Sequence, residues 1–208
     1  MTAHEHFLYN HSLYEHSIKY LKIILSLKSM IINCAGCIIR PPESTDLKSY
    51  HKNINDPLIG KNLRAVNYPI SFEEARASLA RAISNSMCHP TTRDSFIIDV
   101  NGECAGAIQL SEIESDHKAK IGYWLGADYR EKGIMKKAVI AMTQYGFREY
   151  NLRRIYAHVA TFNSTSAGLL ERCGYNLEGI LKMNRLKNGE YFDDYLYSII
   201  RNDRYAKD

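Results

Sequence analysis

Apolar positions along the chain follow two rhythms, and their alternation defines the domain class. The runs Ser95–Val100 and Glu103–Leu110 carry strand patterning and flank Asn101-Gly102, the dipeptide of a type I′ turn, so they predict a hairpin. A third strand is expected over Ala119–Leu125 and a fourth over Arg154–Thr161. A closing pair, Asn176–Leu186 and Glu190–Arg201, surrounds a second Asn-Gly at 188–189. Helical spacing appears between these runs. Ser71-Phe-Glu-Glu74 has the form of a capping box and opens a helix to about Ser84, with Phe72, Ala75, Leu79 and Ile83 inward. Met135, Ala138, Val139, Met142 and Gly146 share one helical face and predict a helix over roughly Lys132–Tyr150. Asn163 opens another through Arg172, and Gly174 suits its left-handed C′ position. Cys37–Arg40 reads as a short strand stopped by Pro41-Pro42, and Asp46–Ile54 as a weak helix. The order β-α-α-β-β-β-α-β-α-β-β implies an α/β (α+β) domain over 37–208 on a mixed, mostly antiparallel sheet with flanking helices.

Residues 1–36 read as an N-terminal extension. Tyr14, Ile18, Leu21 and Leu25 fall at helical spacing and predict one amphipathic helix. Its plain role is packing, or facing a second copy, so a homodimer stays open.

Composition narrows the class. A chain of 208 residues with 45% hydrophobic content suits one domain with a substantial core. A net charge of +4 is mild, and points to an anionic ligand; no nucleic acid is expected, because such binders gather far more charge on one face. The apolar run Tyr20–Ile39 is interrupted by Lys22, Lys28 and Asn33, and no export signal is clear, so no membrane association is expected and the location is expected to be cytoplasmic. The five cysteines (34, 37, 88, 104, 173) are odd in number and not laid out as a disulfide framework, so structural thiols in a reducing setting are expected. Cys34-Ala-Gly-Cys37 lacks a second ligand pair at zinc spacing, and the histidines at 4, 6, 11 and 16 suggest only adventitious metal; no metal site is expected.

The chemistry concentrates between Ile121 and Met135. The apolar run Ile121-Gly-Tyr-Trp-Leu125 ends in a turn, then Arg130-x-x-Gly133 opens the central helix. A Gly-bearing turn at a helix N-terminus leaves backbone N–H groups outward for phosphate, and Arg130, Lys132, Lys136 and Lys137 add charge. Three more segments follow in order: Leu152-Arg-Arg-Ile155; Asn163-x-x-Ser166 with Leu170-Glu-Arg-Cys-Gly-Tyr175; and Asn188-Gly-Glu-Tyr-Phe-Asp193 running into Tyr197-Ser198. Together these four resemble the GNAT superfamily of N-acetyltransferases, within it the ribosomal-protein-alanine branch, over about residues 37–203.

The resemblance implies acetyl-CoA as cosubstrate and an amine acceptor, either a protein N-terminus or a small amine. It implies a splay between Ala119–Leu125 and Arg154–Thr161 that receives the pantetheine arm, with Gly126 suited to the bulge or turn. The pyrophosphate is then expected on the amides of Lys132, Gly133, Ile134 and Met135, with Arg130 and Lys137 in direct phosphate contact. Backbone N–H groups near Trp124 and Leu125 are expected to polarise the thioester carbonyl. Asn163 holds pantetheine or caps its helix. Ser166 is the expected proton donor to the leaving thiolate, since Leu170 stands where many relatives carry a tyrosine. Asp193 orients the acceptor amine or fixes the closing hairpin.

One departure matters more than the rest. The family often carries a glutamate before Ile-Gly-Tyr to receive the amine's proton, and here that position is Lys120. Glu112, Glu114, Asp116, Tyr123 and His158 are the alternatives. Deprotonating a lysine amine of pKa about 10.4 at pH 7 costs about 4.6 kcal/mol, against about 1 kcal/mol for an α-amine near 7.7. A site without a strong base therefore favours a peptide N-terminus. Two alternatives stay open: a small-molecule amine such as a polyamine or an antibiotic, for which Glu73, Glu74, Glu112, Glu114 and Asp116 could form an acidic cleft, and an acyl-CoA-binding sensor with weak catalysis.

Overall fold

The computed structural model describes residues 32–202 apart from 35 and 88–91; the expected leader helix, its histidines and Cys88 lie outside the described residues. The strands are β1 (Ile32–Cys34), β2 (Cys37–Arg40), β3 (Arg93–Val100), β4 (Glu103–Glu114), β5 (Lys118–Leu125), β6 (Arg154–Ala160), β7 (Asn176–Lys187) and β8 (Glu190–Ile200). The helices are α1 (Leu47–Ile54), α2 (Pro57–Asn62), α3 (Phe72–Met87), α4 (Ile134–Glu149) and α5 (Ser164–Arg172). The strands form one eight-stranded sheet in the order β1-β2-β3-β4-β5-β6-β8-β7. β5 and β6 run parallel, and the other neighbours pair antiparallel.

Local chemistry sets the element ends. Asn101 and Asn188 take left-handed φ values of 55° and 51°, each followed by a positive-φ glycine, as a type I′ turn requires. Ser71 and Glu74 exchange their bonds reciprocally, Ser71 N–H to Glu74 Oε2 at 2.8 Å and Glu74 N–H to Ser71 Oγ at 3.2 Å. Two elements go beyond the sequence reading. Asp56 caps α2, its Oδ1 accepting from the amides of Leu58 (2.8 Å) and Ile59 (3.0 Å), with Pro57 at the first helical position. β1 falls inside the stretch assigned to the extension and pairs with β2. Cys34 and Cys37 face each other across that turn, 5.2 Å apart at Cα, and form a disulfide. The expectation of free thiols at these two positions is thereby corrected; Cys104 and Cys173 remain free.

Apolar layers cover both sheet faces. On one, α4 buries the predicted stripe of Ala138, Val139, Met142 and Gly146, with Phe147 beside it. On the other, α1, α2 and α3 enclose Tyr50, Ile54, Ile59 and Leu79 around Trp124, which meets Tyr50 edge to face at 5.3 Å. Each Val, Leu, Ile, Met or Phe side chain among them contributes about 1.5–3 kcal/mol on burial. Polar ties fix the layers. Arg40 bridges Asp46 (2.6 Å) and Asp99 (2.8 Å), joining β2 to β3 and to the start of α1. Among the described residues, no helix is long and apolar enough to cross a membrane.

Candidate active site

The site starts from a strand pair that stops pairing. β5 and β6 are in register at Lys118–Arg154, Ala119–Ile155 and Lys120–Tyr156, and no pair follows. Beyond Lys120, β5 stays with β4 while β6 stays with β8, which opens a V. The irregularity beside it lies in β4, where the register shifts between Ser111 and Glu114 and Glu112 takes φ 53°. Gly126, expected at the bulge or turn, sits at the turn that follows β5, with extended backbone (φ −60°) and its carbonyl accepting from Tyr129 N–H at 3.1 Å. Its missing Cβ serves close packing: an added Cβ would lie 2.8–2.9 Å from the Asn53 side chain, whose amide donates to the Cys104 carbonyl.

Past the V, the chain enters the expected phosphate loop. Glu131 (φ 62°) and Gly133 (φ 73°) are left-handed, and α4 begins at Ile134 rather than Lys132. The first helical backbone bond is Lys137 N–H to Gly133 O, so the amides of Ile134, Met135 and Lys136 have no helical acceptor, and Gly133 has no side chain to cap them. The loop's cations have partners within the chain. Arg130, a candidate for direct phosphate contact, donates from Nε to the Leu125 carbonyl (3.1 Å) and pairs through Nη2 with Asp56 (3.0 Å). It therefore ties the loop to the strand end and to the cap of α2. Lys132 donates to the Asp128 carbonyl at 2.7 Å, within the same turn. Lys137 sits one turn into α4.

Across the V, three expected residues converge. Asn163 caps α5, its side chain accepting from Ser166 N–H at 3.2 Å. The Ser166 hydroxyl lies 2.9 Å from the Tyr123 hydroxyl. Burial pushes the Tyr123 phenol far above its ordinary pKa, with Ser166 partly offsetting this, so the phenol stays protonated and can donate. Leu170, at the tyrosine position, is fully buried.

Strand alternation places a second set of groups on the opposite face of the V. Lys120 and its register partner Tyr156 lie there with His158. Glu112, turned by the bulge, accepts from Lys120 Nζ at 3.0 Å and from the Tyr156 hydroxyl. Those bonds, the tyrosine's first, hold its carboxyl below the usual range. Burial first, then the Lys120 charge, lowers the His158 imidazole below 6.5. Asn184 Nδ2 approaches His158 Nδ1 (3.4 Å) and donates to fully buried Asp194 (2.8 Å), which also pairs with Arg185 at 2.9 Å. Asp193, one residue earlier, points the other way by the same alternation. Its carboxylate takes Lys182 Nζ (2.8 Å) and Met183 N–H (2.9 Å), both on β7, contacts that tie the closing hairpin, one of its two expected roles. Glu114 and Asp116 bind His117 and Asn151 at the β4–β5 turn, away from the V, and Glu73 pairs with Arg76 on α3.

The profile of the family described as Acetyltransferase (GNAT) domain matches residues 37–176. The chain belongs to the GNAT acetyltransferase family. The protein named uncharacterized N-acetyltransferase p20 from Bacillus licheniformis is 28% identical over 150 residues, 72% of this chain and 84% of that protein. Spermidine N(1)-acetyltransferase of Escherichia coli (strain K12) is 26% identical over 156 residues, 74% of this chain and 80% of that protein. A solved ribosomal L7/L12 alpha-N-protein acetyltransferase, in complex with coenzyme A, superposes with a TM-score of 0.73 at 26% identity, over 82% of this chain and 97% of that one. This GNAT chain is thus an acetyl-CoA-dependent N-acetyltransferase. The groups missed from its sequence were Asp56, which anchors Arg130, and Asp194 with Asn184 and Arg185. Asp56-Pro57 was readable as a helix start. Nothing local distinguished Asp194 from Asp193 except strand parity.

Proposed function

We propose that the chain acetylates the α-amine of a peptide N-terminus, by direct attack in a ternary complex with acetyl-CoA. The observation that carries this reading is the set of groups around the position of the absent glutamate. They are an imidazole with a lowered pKa, His158, and a carboxylate already bound by Lys120 and Tyr156, Glu112. Both are weak bases at pH 7. They suit an amine costing about 1 kcal/mol to deprotonate, and not one costing about 4.6 kcal/mol. Among the described residues, the carboxylates on this face offer a polyamine no open acidic cleft either. Glu112 is paired with Lys120, and Asp194 with Arg185 and, at 3.6 Å, Arg64.

The cosubstrate fits the open V and the uncapped amides. Lys132, Gly133, Ile134, Met135 and Lys137 would hold its diphosphate, with Arg130 shaping the loop, and Trp124, Leu125 and Asn163 would line the arm. When bound it supplies the activated thioester. Backbone N–H groups near Trp124 and Leu125 polarise the carbonyl. His158 accepts the amine's proton, directly or through water, and the Glu112 charge favours the resulting imidazolium. Ser166, backed by the Tyr123 hydroxyl, delivers a proton to the leaving sulfur.

Mass spectrometry of acetyl-CoA reactions with N-terminal peptides, their N-blocked lysine counterparts and spermidine tests the reading. Peptides acetylated at the α-amine are expected, with a pH–rate rise of apparent pKa below about 8.5. Spermidine as the best acceptor, a rise near 10, or tight binding without turnover would each overturn it.

A further inference from the structure

A cavity of about 540 Å³ opens beside the amine-side groups. Its walls are α2, the Asn67–Tyr68 loop, the β7–β8 hairpin and Phe162, which immediately precedes the Asn163 cap of α5. It is continuous in bonding with the site described above. Arg185 in its wall shares Asp194 with Asn184, which reaches His158. The volume lies in the range of small-ligand sites, and suits two or three residues of an extended peptide.

The lining is cationic and aromatic. Lys61 lies over the Phe162 ring, 5.0 Å from its centroid, and Phe162 meets Phe192 edge to face at 5.5 Å. Lys187 is held by two backbone carbonyls, Leu63 and Val66, and burial lowers its pKa. Neither lysine forms an ion pair among the described residues, whereas Arg185 is neutralised by Asp194. Glu190 is the opposing carboxylate in the lining. A lysine that is partly desolvated and bound only to neutral acceptors is stabilised by an incoming anion.

We infer that this cavity receives the residues following the acetylated amine, and that Lys61 and Lys187 select an acceptor with an acidic side chain at its second or third position. The inference rests on the α-amine reading and specifies the acceptor. Carboxylates there would pair with both ammonium groups, while a basic side chain would meet the like charge of two lysines, offset only in part by Glu190 and the aromatic faces.

The test is kcat/KM for peptides sharing an N-terminal serine and carrying Asp, Ala or Lys at positions two and three, with the parent and with Lys61→Glu. Lys61 is an exposed residue on α2, so the exchange leaves the core intact. Reading Asp-peptide over Lys-peptide as a ratio within each variant cancels losses common to all peptides. The parent ratio is expected to exceed about tenfold, and Lys61→Glu to lower it at least fivefold. A parent ratio near or below one, or a ratio that Lys61→Glu leaves unmoved, overturns the inference while the α-amine reading stands. Acetylation of no peptide in the panel overturns both.

Discussion

A hydroxyl that relays a proton responds to deletion differently from one that decorates a helix. Ser166→Ala removes the 2.9 Å contact with Tyr123 and, with it, the hydroxyl proposed to pass the proton on. The expected result is a fall in kcat of about 10- to 100-fold with little change in acetyl-CoA affinity. If both hydroxyls serve one proton path, as proposed, Ser166→Ala with Tyr123→Phe should lose no more than the worse single variant. Losses that multiply would remove Tyr123 from the relay. His158 offers a separate test through pH. As the proposed base it acts through its neutral imidazole, and its pKa is lowered from 6.5, so activity should extend further to the acid side than an ordinary histidine would allow. The profile of log kcat/KM should rise with a slope of about one where only the peptide amine titrates, and steepen to about two below the imidazole's pKa. His158→Ala is expected to remove the steepening and keep the amine's slope. An unchanged break would assign the proton elsewhere.

The proposed phosphate loop is a device of elements rather than of one cation. Arg130 reaches back to the end of β5 and sideways to the Asp56 cap, so the turn into α4 is braced against α2. If bracing is its role, Asp56→Asn and Arg130→Gln should each weaken acetyl-CoA binding by about five- to tenfold in calorimetry, and the double variant should be no worse than either. If Arg130 instead met phosphate directly, Asp56→Asn would leave affinity intact or improve it. Gly133→Ala probes the same turn from the backbone. A Cβ there meets nothing within 4 Å, but φ 73° disfavours any side chain by about 1 kcal/mol, so a loss in affinity would report loop geometry rather than a clash. Much at this scale was readable. The capping box, both Asn-Gly turns and the α4 stripe are local codes, and all appear in the structure. The bracing was not readable, because Asp56 and Arg130 are far apart in sequence and meet only once α2 packs beside the loop.

At the scale of the whole molecule, the class of reaction was legible and the acceptor side was not. The proposed cosubstrate side is built on consecutive chain, from β5 through the loop into α4. The proposed acceptor side draws Glu112, Lys120, Tyr156, His158 and Asp194 from five strand positions that topology alone brings together. The same topology sets a mechanical problem: among the described residues, β6, β8 and β7 join the remaining strands through three paired positions. Arg154, in the first of those pairs, binds Glu178 on β7 and the Ser198 hydroxyl (3.0 Å) on β8, so one guanidinium spans the half-sheet behind the V. Glu178 is correspondingly held down to about 2 by Arg154 first and Ser198 second. A depressed carboxylate stabilises the fold above its unfolded value of 4.5, and that contribution is lost as pH falls from 4.5 towards 2. The pair is partly solvated, so Glu178→Gln should cost only about 0.5–1 kcal/mol at pH 7, or about 1–4 °C in melting temperature. Calorimetric melts at stepped pH should find that difference constant from pH 7 to 5 and shrinking below 4.5. A gap that persists unchanged at pH 3 would mean that Glu178 acts through packing, and that the wall of the V is held by α4 and α5 instead.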